Sequence, residues 1–475
     1  MAELECAHAL IGGDWTESPG PAIPVIDPYH EEMIGEVAES GLDLVDRAVA
    51  AATQAQPGWA GRDVDERARL LEGVAVLLDR DRERMAELVG REMGMPVGLA
   101  RVTQAELPAA VLRTTADLAR QFPWSTRIDG AVVHRCPAGV VAAITPWNMP
   151  VHQIVAKVAA ALAAGCPVVL KPSEQTPFDA NALVKLFIEA GCPPGVLNTV
   201  TGTGAVTGTA LAGHPGLGHV SFTGSVAAGR TVAGLAARTL TRSTLELGGK
   251  SPAIILPDAD LATAVAGAVA GGLVNSGQAC NATTRMLVPA HLIGEVLPLV
   301  KDEVENYVLG APADPATRQG PLASARQRDR VLAYISSAVK AGGTLVTGSA
   351  EPSEVSAHGY FVDPAVITGL PENAEAIREE IFGPVIAIQA YSDIDDAVRI
   401  ANDCDFGLSA EVWSADAEHA QVIAARLHAG QVKINGVRTR DRLAVPFGGM
   451  KNSGHGRELG TYGIEEFTEL RAVLS

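Results

Sequence analysis

Between about residues 138 and 256 short apolar runs alternate with helical ones, and no other feature of the chain restricts its fold so tightly. Segments 139–144, 167–170, 196–200, 219–222 and 243–246 read as five strands. An Ala-rich helical segment, 151–164, ends at Gly165, and a second runs through Phe187 to Gly191. Short strands that are apolar throughout need both faces covered, which implies a parallel sheet with helices on either side, an α/β fold. A second α/β region begins after Pro252 and extends to about 450. No repeat or low-complexity linker separates the two, so they should share an interface, a natural place for a ligand cleft. At 475 residues the chain is long enough for two or three cores.

Around this frame the first hundred residues are expected to be mainly helical. Asp63-Val64-Asp65-Glu66 has the form of a capping box ahead of the apolar run 68–78, and 79–84 reads as a wet helix face. Asp129-Gly130 signals a hairpin within 125–137, and 468–475 reads as a short strand. The formal net charge of −18 argues against nucleic acid as a partner and against a polybasic membrane anchor. Six scattered cysteines without a CxxC pair suggest neither a disulfide framework nor a metal site, and most read as small buried hydrophobes. The acidic start, Met1 to Cys6, lacks a basic region and an apolar core, and no uncharged apolar run approaches bilayer length. A cytoplasmic protein is expected.

Several words carry chemistry. Lys171-Pro172-Ser173-Glu174 closes a strand, where ligands of open parallel sheets gather. A lysine there can meet a phosphate or ribose and a carboxylate can accept from ribose hydroxyls; a surface ion pair is the plainer alternative. Phe222-Thr223-Gly224-Ser225-Val226-Ala227-Ala228-Gly229 is a strand-to-helix turn spaced G-x-x-x-x-G, whose helix N-terminus offers free N–H groups to pyrophosphate. Cys280, in Asn275-Ser276-Gly277-Gln278-Ala279-Cys280, follows a glycine where tight backbone can expose a thiol. Glu246 ends an apolar strand, where an unpartnered carboxylate is costly, so it is either a general base or one half of a buried pair with Lys250. A thiol, a carboxylate and the amide of Asn148 are the parts needed to attack a carbonyl, hold the oxyanion and activate water.

These words, in this order, resemble the aldehyde dehydrogenase superfamily over nearly the whole chain. The resemblance implies oxidation of a small-molecule aldehyde to its acid with NAD, through a thiohemiacetal and a thioester on Cys280. Asn148 and the Cys280 N–H would hold the oxyanion, Glu246 would activate water, Lys157 would support the Asn148 amide and the proton relay, and Glu458 would extend that relay. Trp147, Lys171, Ser173, Glu174, Gly224, Ser225, Gly229, Leu247, Glu380 and Phe382 would bind the cofactor. Glu174 would favour NAD over NADP by repelling a 2′-phosphate. Met149, Gln153, Ala156, Ala279, Asn281 and the loop 436–445 would line the substrate channel; Arg438, Arg440 and Arg442 in that loop either grip a substrate carboxylate or are solvated. The implied layout is a Rossmann-like cofactor domain over 1–118 and 138–247, a catalytic domain over 248–452, and oligomerisation segments 119–137 and 453–475. A homodimer or homotetramer is expected, with Glu469 bridging Arg242 and Arg457. Two other readings remain, a CoA-acylating relative and a non-catalytic member. The presence of Glu246 weighs against the first, and the retention of Cys280, Asn148 and Glu246 against the second.

Overall fold

The computed structural model describes residues 8–355 and 358–474; the acidic start Met1 to Cys6, with its cysteine, lies outside them. Five strands lie where the apolar runs predict: Val141–Ile144, Val168–Lys171, Leu197–Thr199, His219–Thr223 and Arg242–Glu246. All five pair in parallel. Val141–Ile144 and Val168–Lys171 are buried at every position, as a sheet covered on both faces demands. The helix Pro150–Ala163 starts with proline in its first turn and stops before Gly165, whose φ of +88° suits glycine.

The sheet grows beyond the five strands at both edges. Ala9–Ile11 and Asp14–Thr16 add antiparallel on one side and Gly454–His455 on the other, giving eight strands. The second region builds a seven-stranded sheet with Pro252–Ile255, Arg285–Pro289 and Val385–Tyr391 near its centre and one antiparallel edge strand, Thr344–Thr347. A third sheet joins the hairpin Ser125–Ile128 and Ala131–Pro137 to the C-terminal strand Thr468–Val473. Asp129 and Gly130 both have positive φ, the geometry a two-residue hairpin turn requires.

Two expectations need correction and one is refined. The N-terminal region is not helical from its start: residues 9–38 form four short strands, and helices begin with Gly41–Ala60. The charged segment 79–84 is helical and largely exposed except that Asp81 breaks it, so its wet face is split between the helices Val64–Arg80 and Arg82–Met93. Of the five described cysteines only Cys166 is buried; all five are free thiols. The capping box is present, with the Glu66 carboxylate accepting from the Asp63 N–H at 3.2 Å. Among the described residues no helix is long and apolar enough to cross a membrane.

The C-terminal ion cluster also differs from expectation. Glu469 pairs with Arg242 at 2.9 Å but does not reach Arg457, which spends its guanidinium on the carbonyls of Gly449 and Gly456. The residue that joins the two segments is Glu466, which accepts from the Thr244 hydroxyl at 3.2 Å and from the Arg457 backbone N–H at 3.1 Å. The Arg242–Glu469 pair is about half exposed on both sides, so it should contribute at most about 1 kcal/mol. Glu466→Ala should therefore cost about 1.5–3 kcal/mol through two lost charge-assisted bonds, and Glu469→Ala much less. Urea midpoints of the two variants check this order.

Candidate active site

The loop that presents Cys280 is held in an unusual backbone shape. Asn275, Ser276 and Gly277 have φ of +51°, +56° and +71° in succession. Such strain persists where surrounding contacts over-determine it, and here they do. The Asn275 amide donates to the Asn148 carbonyl at 2.9 Å, the Ser276 hydroxyl to the Gly320 carbonyl at 2.9 Å, and the Ala323 N–H to the Gln278 side chain at 3.0 Å. Gly277 packs so closely on the Gly383 carbonyl that a Cβ has no room. The Asn148 amide in turn donates to the Gln278 carbonyl at 2.9 Å. Asn148 and the Cys280 loop, one from each large sheet region, are thus locked to each other.

Cys280 and Asn148 form a wall common to two cavities. One, about 370 Å³, is bounded by Trp147, Thr223, Gly224, Ser225, Leu247 and Gly248 on the first-sheet side. Glu380, Phe382, Gln327 and Arg330 bound it on the other. The Glu380 carboxylate accepts from the Gly249 N–H at 3.1 Å, and burial pushes its pKa up to about 7. Phe382 stands edge-on to Trp147 with ring centroids 5.5 Å apart and has φ +62°, a second strained residue at the same site. Ser225 caps the helix Val226–Ala237, its hydroxyl accepting from the Ala228 N–H at 3.3 Å. This donor set suits a dinucleotide: a helix N-terminus for pyrophosphate, a buried carboxyl group for ribose hydroxyls, and aromatic edges for a flat ring.

The remaining cofactor candidates stand elsewhere. Lys171 is buried and pairs with Glu174 at 3.1 Å, and the Ser173 hydroxyl accepts from the Gln175 N–H at 3.2 Å. Gln175 reaches the wall of the large cavity, but Lys171, Ser173 and Glu174 do not. Gly229 is also absent from that wall. Its position is covered by the Leu247 side chain, whose Cδ2 would lie 2.5 Å from an added Cβ, so this glycine serves helix-to-strand packing.

The second cavity, about 120 Å³, is bounded by Leu107, Met149, Leu443, Phe447 and Leu459, with Gln153, Ala279 and Asn281 as expected. Ala156 is buried in the core and does not reach it. Of the three loop arginines only Arg440 touches this cavity. Thr103, Leu107 and His152 were not singled out in the sequence. Thr103 belongs to a π-helical turn, Arg101–Glu106, and Leu107 follows it, in a region whose pattern reads as ordinary helix.

Glu246 is 1% exposed, and neither carboxylate oxygen has a hydrogen-bond partner among the described residues. Lys250 does not pair with it; the Lys250 Nζ is likewise unpartnered. Burial raises the Glu246 pKa well above the usual carboxylate range, and Glu458 nearby adds to the rise. Lys157 bonds Glu458 and the Thr223 hydroxyl, the latter at 2.7 Å, and makes no contact with the Asn148 amide. Its expected support of that amide is therefore corrected: it neutralises Glu458. The Cys280 residue is partly exposed, but desolvation of its thiol pushes it up to about 12, with Glu246, Glu380 and Glu458 adding to the effect.

The family model described as "Aldehyde dehydrogenase family" matches residues 15–473. The chain belongs to the aldehyde dehydrogenase family. This aldehyde dehydrogenase is 43% identical over 466 residues to a 3-succinoylsemialdehyde-pyridine dehydrogenase of a Pseudomonas species, covering 98% of this chain and 97% of that one. It is 41% identical to a geranial dehydrogenase of Castellaniella defragrans, covering 99% of each. The crystal structure of a cysteine-to-alanine variant of aldehyde dehydrogenase C from Pseudomonas syringae, in complex with NAD+ and octanal, superposes with a TM-score of 0.97 at 42% identity, over 98% of this chain and 96% of that one. Like its family, the protein is an oxidoreductase that converts an aldehyde to the carboxylic acid.

With its thiol held protonated, the free protein should react with iodoacetamide at Cys280 in proportion to a small thiolate fraction. The rate of inactivation should rise about tenfold per pH unit from 7 to 9.5 without levelling. A plateau in that range would contradict the raised pKa.

Proposed function

We propose that this enzyme oxidises aldehydes with an apolar chain, using NAD, and that Cys280, Asn148, Glu246 and Glu458 carry the chemistry. The observation that carries the reading is the shared wall: one thiol and one amide border both the large cavity of mixed lining and the small apolar one. The apolar side chains around the small cavity support a hydrocarbon chain on the substrate, and Arg440 at its edge is exposed.

Trp147, Gly224, Ser225, Leu247, Glu380 and Phe382 would hold NAD in the large cavity, with the Lys171–Glu174 pair beside it through Gln175. When bound, NAD supplies the hydride acceptor. The Cys280 thiol gives up its proton to solvent, its sulfur attacks the aldehyde carbon, and the alkoxide of the thiohemiacetal is stabilised by the Cys280 N–H and the Asn148 amide. Loss of hydride from that carbon leaves the thioester. Glu246 then takes a proton from water, which attacks the thioester carbonyl and releases the acid and the free thiol. Burial and the nearby Glu458 raise its pKa above the usual carboxylate range, which strengthens it as a base. Lys157, itself bonded to the Thr223 hydroxyl, holds Glu458 in place as the next proton acceptor.

The eight-stranded sheet with its flanking helices would form the cofactor domain, and the seven-stranded sheet the catalytic domain. The three-stranded sheet supports assembly into a homodimer or homotetramer, since its outer strands expose Ile128, Leu470 and Val473. The free described cysteines accord with a cytoplasmic setting.

Absorbance of NADH after addition of an aldehyde panel, with and without CoA, tests the reaction; turnover that depends on CoA would overturn the hydrolytic reading. Cys280→Ala should abolish oxidation and leave NAD binding intact. Glu246→Gln should give a single-turnover burst of NADH and then near silence, because only hydrolysis of the thioester needs the base; loss of the burst itself would count against the assigned role.

Glu174 should set the choice of cofactor. In Glu174→Gln the repulsion toward a 2′-phosphate is removed, so the ratio of kcat/KM for NAD to that for NADP should narrow. A wild-type preference for NADP would contradict the assignment.

A further inference from the structure

Under the start of strand Pro252–Ile255, on the far side of the Gly248–Gly249 turn from the cofactor cavity, the protein buries donors without acceptors. Lys250, Ser251 and Ser409 are each 2% exposed and Arg285 is 1% exposed. All four border one cavity of about 10 Å³, room for roughly one water-sized particle. The Lys250 Nζ and the hydroxyls of Ser251 and Ser409 have no hydrogen-bond partner among the described residues. Nearby carbonyls are already engaged: Arg285 donates to those of Lys250, Ile400 and Ala401, each at 2.9 Å.

Two cationic side chains thus border one cavity, Arg285 bonded to carbonyls alone and the Lys250 Nζ to no acceptor among the described residues, a costly arrangement unless negative charge compensates it. A water has two lone pairs and must place its own protons, in a pocket that presents donors on several sides. A halide accepts in every direction, carries no proton and supplies the missing charge. We propose that the cavity bordered by Lys250, Ser251, Ser409 and Arg285 is a binding site for a single small inorganic anion of halide size. The site lies directly behind the cofactor cavity: Gly249, next to Lys250, donates to Glu380, and Leu247 and Gly248 bound that cavity. Anion binding therefore braces the segment that holds Glu380.

The occupancy should depend on pH. Burial, with Arg285 adding to it, brings the Lys250 pKa down to about 7, against smaller opposing effects from Cys404, Glu380 and Glu379. Asp403 faces Arg285, and His428 borders the cavity from the far side. A bound anion favours the ammonium form, so binding takes up a proton and weakens as pH rises through about 7.

The test compares melting of the full-length protein in sodium chloride and in sodium gluconate at equal ionic strength. At pH 6.5 chloride should raise Tm saturably, by about 2 °C or more, and at pH 9 the rise should vanish. Lys250→Met should remove the chloride response. Should that variant fail to fold, Ser409→Ala, which keeps both charges, should weaken the apparent chloride affinity about tenfold. Crystals soaked in bromide should show an anomalous peak within hydrogen-bond distance of the Lys250 Nζ. Equal melting in both salts at pH 6.5, a chloride response that survives in the variants, or a water at the site in bromide-soaked crystals would overturn the proposal.

Discussion

The reciprocal grip of Asn148 and the Cys280 loop is the constraint on which the site rests. The Asn148 amide donates to the Gln278 carbonyl while the Asn275 amide donates back to the Asn148 carbonyl, both at 2.9 Å. Two short bonds in a buried place join the end of a strand in one sheet to a loop belonging to the other. They also hold Asn275, Ser276 and Gly277 in backbone shapes that an unsupported chain would leave. The Asn148 amide and the Cys280 thiol therefore cannot move independently. Substituting Asn148 loosens the thiol as well as removing a donor, and its effect cannot be assigned to either alone.

Charge is distributed around the thiol in the same economical way. Glu246, Glu380 and Glu458 surround Cys280 and all disfavour its anion. Only Glu458 has a cationic partner at bonding distance, in Lys157, within a pair buried at 0% and 5% exposure. Removing one member of such a pair strands the other and is costly. Glu246, unpartnered, instead holds its proton more tightly. One buried lysine thus separates two carboxylates of similar surroundings, Glu458 ion-paired and Glu246 unpartnered among the described residues.

Much of this was legible in the chain. The five parallel strands follow from uninterrupted apolar runs, and the hairpin from Asp129-Gly130. Cys280, Asn148 and Glu246 come from words whose residue types and order match the family. What local pattern could not give is set by partners far along the chain. Ala9–Ile11 is three residues long, and its only strand character comes from pairing with Thr199 and with Asp14–Thr16. Glu466, two residues before the strand Thr468–Val473, looks no different from Glu465 or Glu469 until folding brings Thr244 and Arg457 beside it. Gly229 matches a cofactor word, yet Leu247 rather than a phosphate fills the space it leaves. Leu107 and Thr103 enter the substrate cavity because a π-helical turn redirects that helix, a feature without a sequence period.

The small sheet has a consequence for synthesis. The hairpin strand Ala131–Pro137 gains its second partner from Thr468–Val473, roughly 330 residues later. A ribosome moving at about 5–20 residues per second exposes that hairpin's open edge for tens of seconds before the complementary strand can exist. Truncation by a handful of C-terminal residues would make the exposure permanent. A chain without the strand Thr468–Val473 would carry an unpaired β-edge on Ala131–Pro137, the kind of surface on which intermolecular pairing begins.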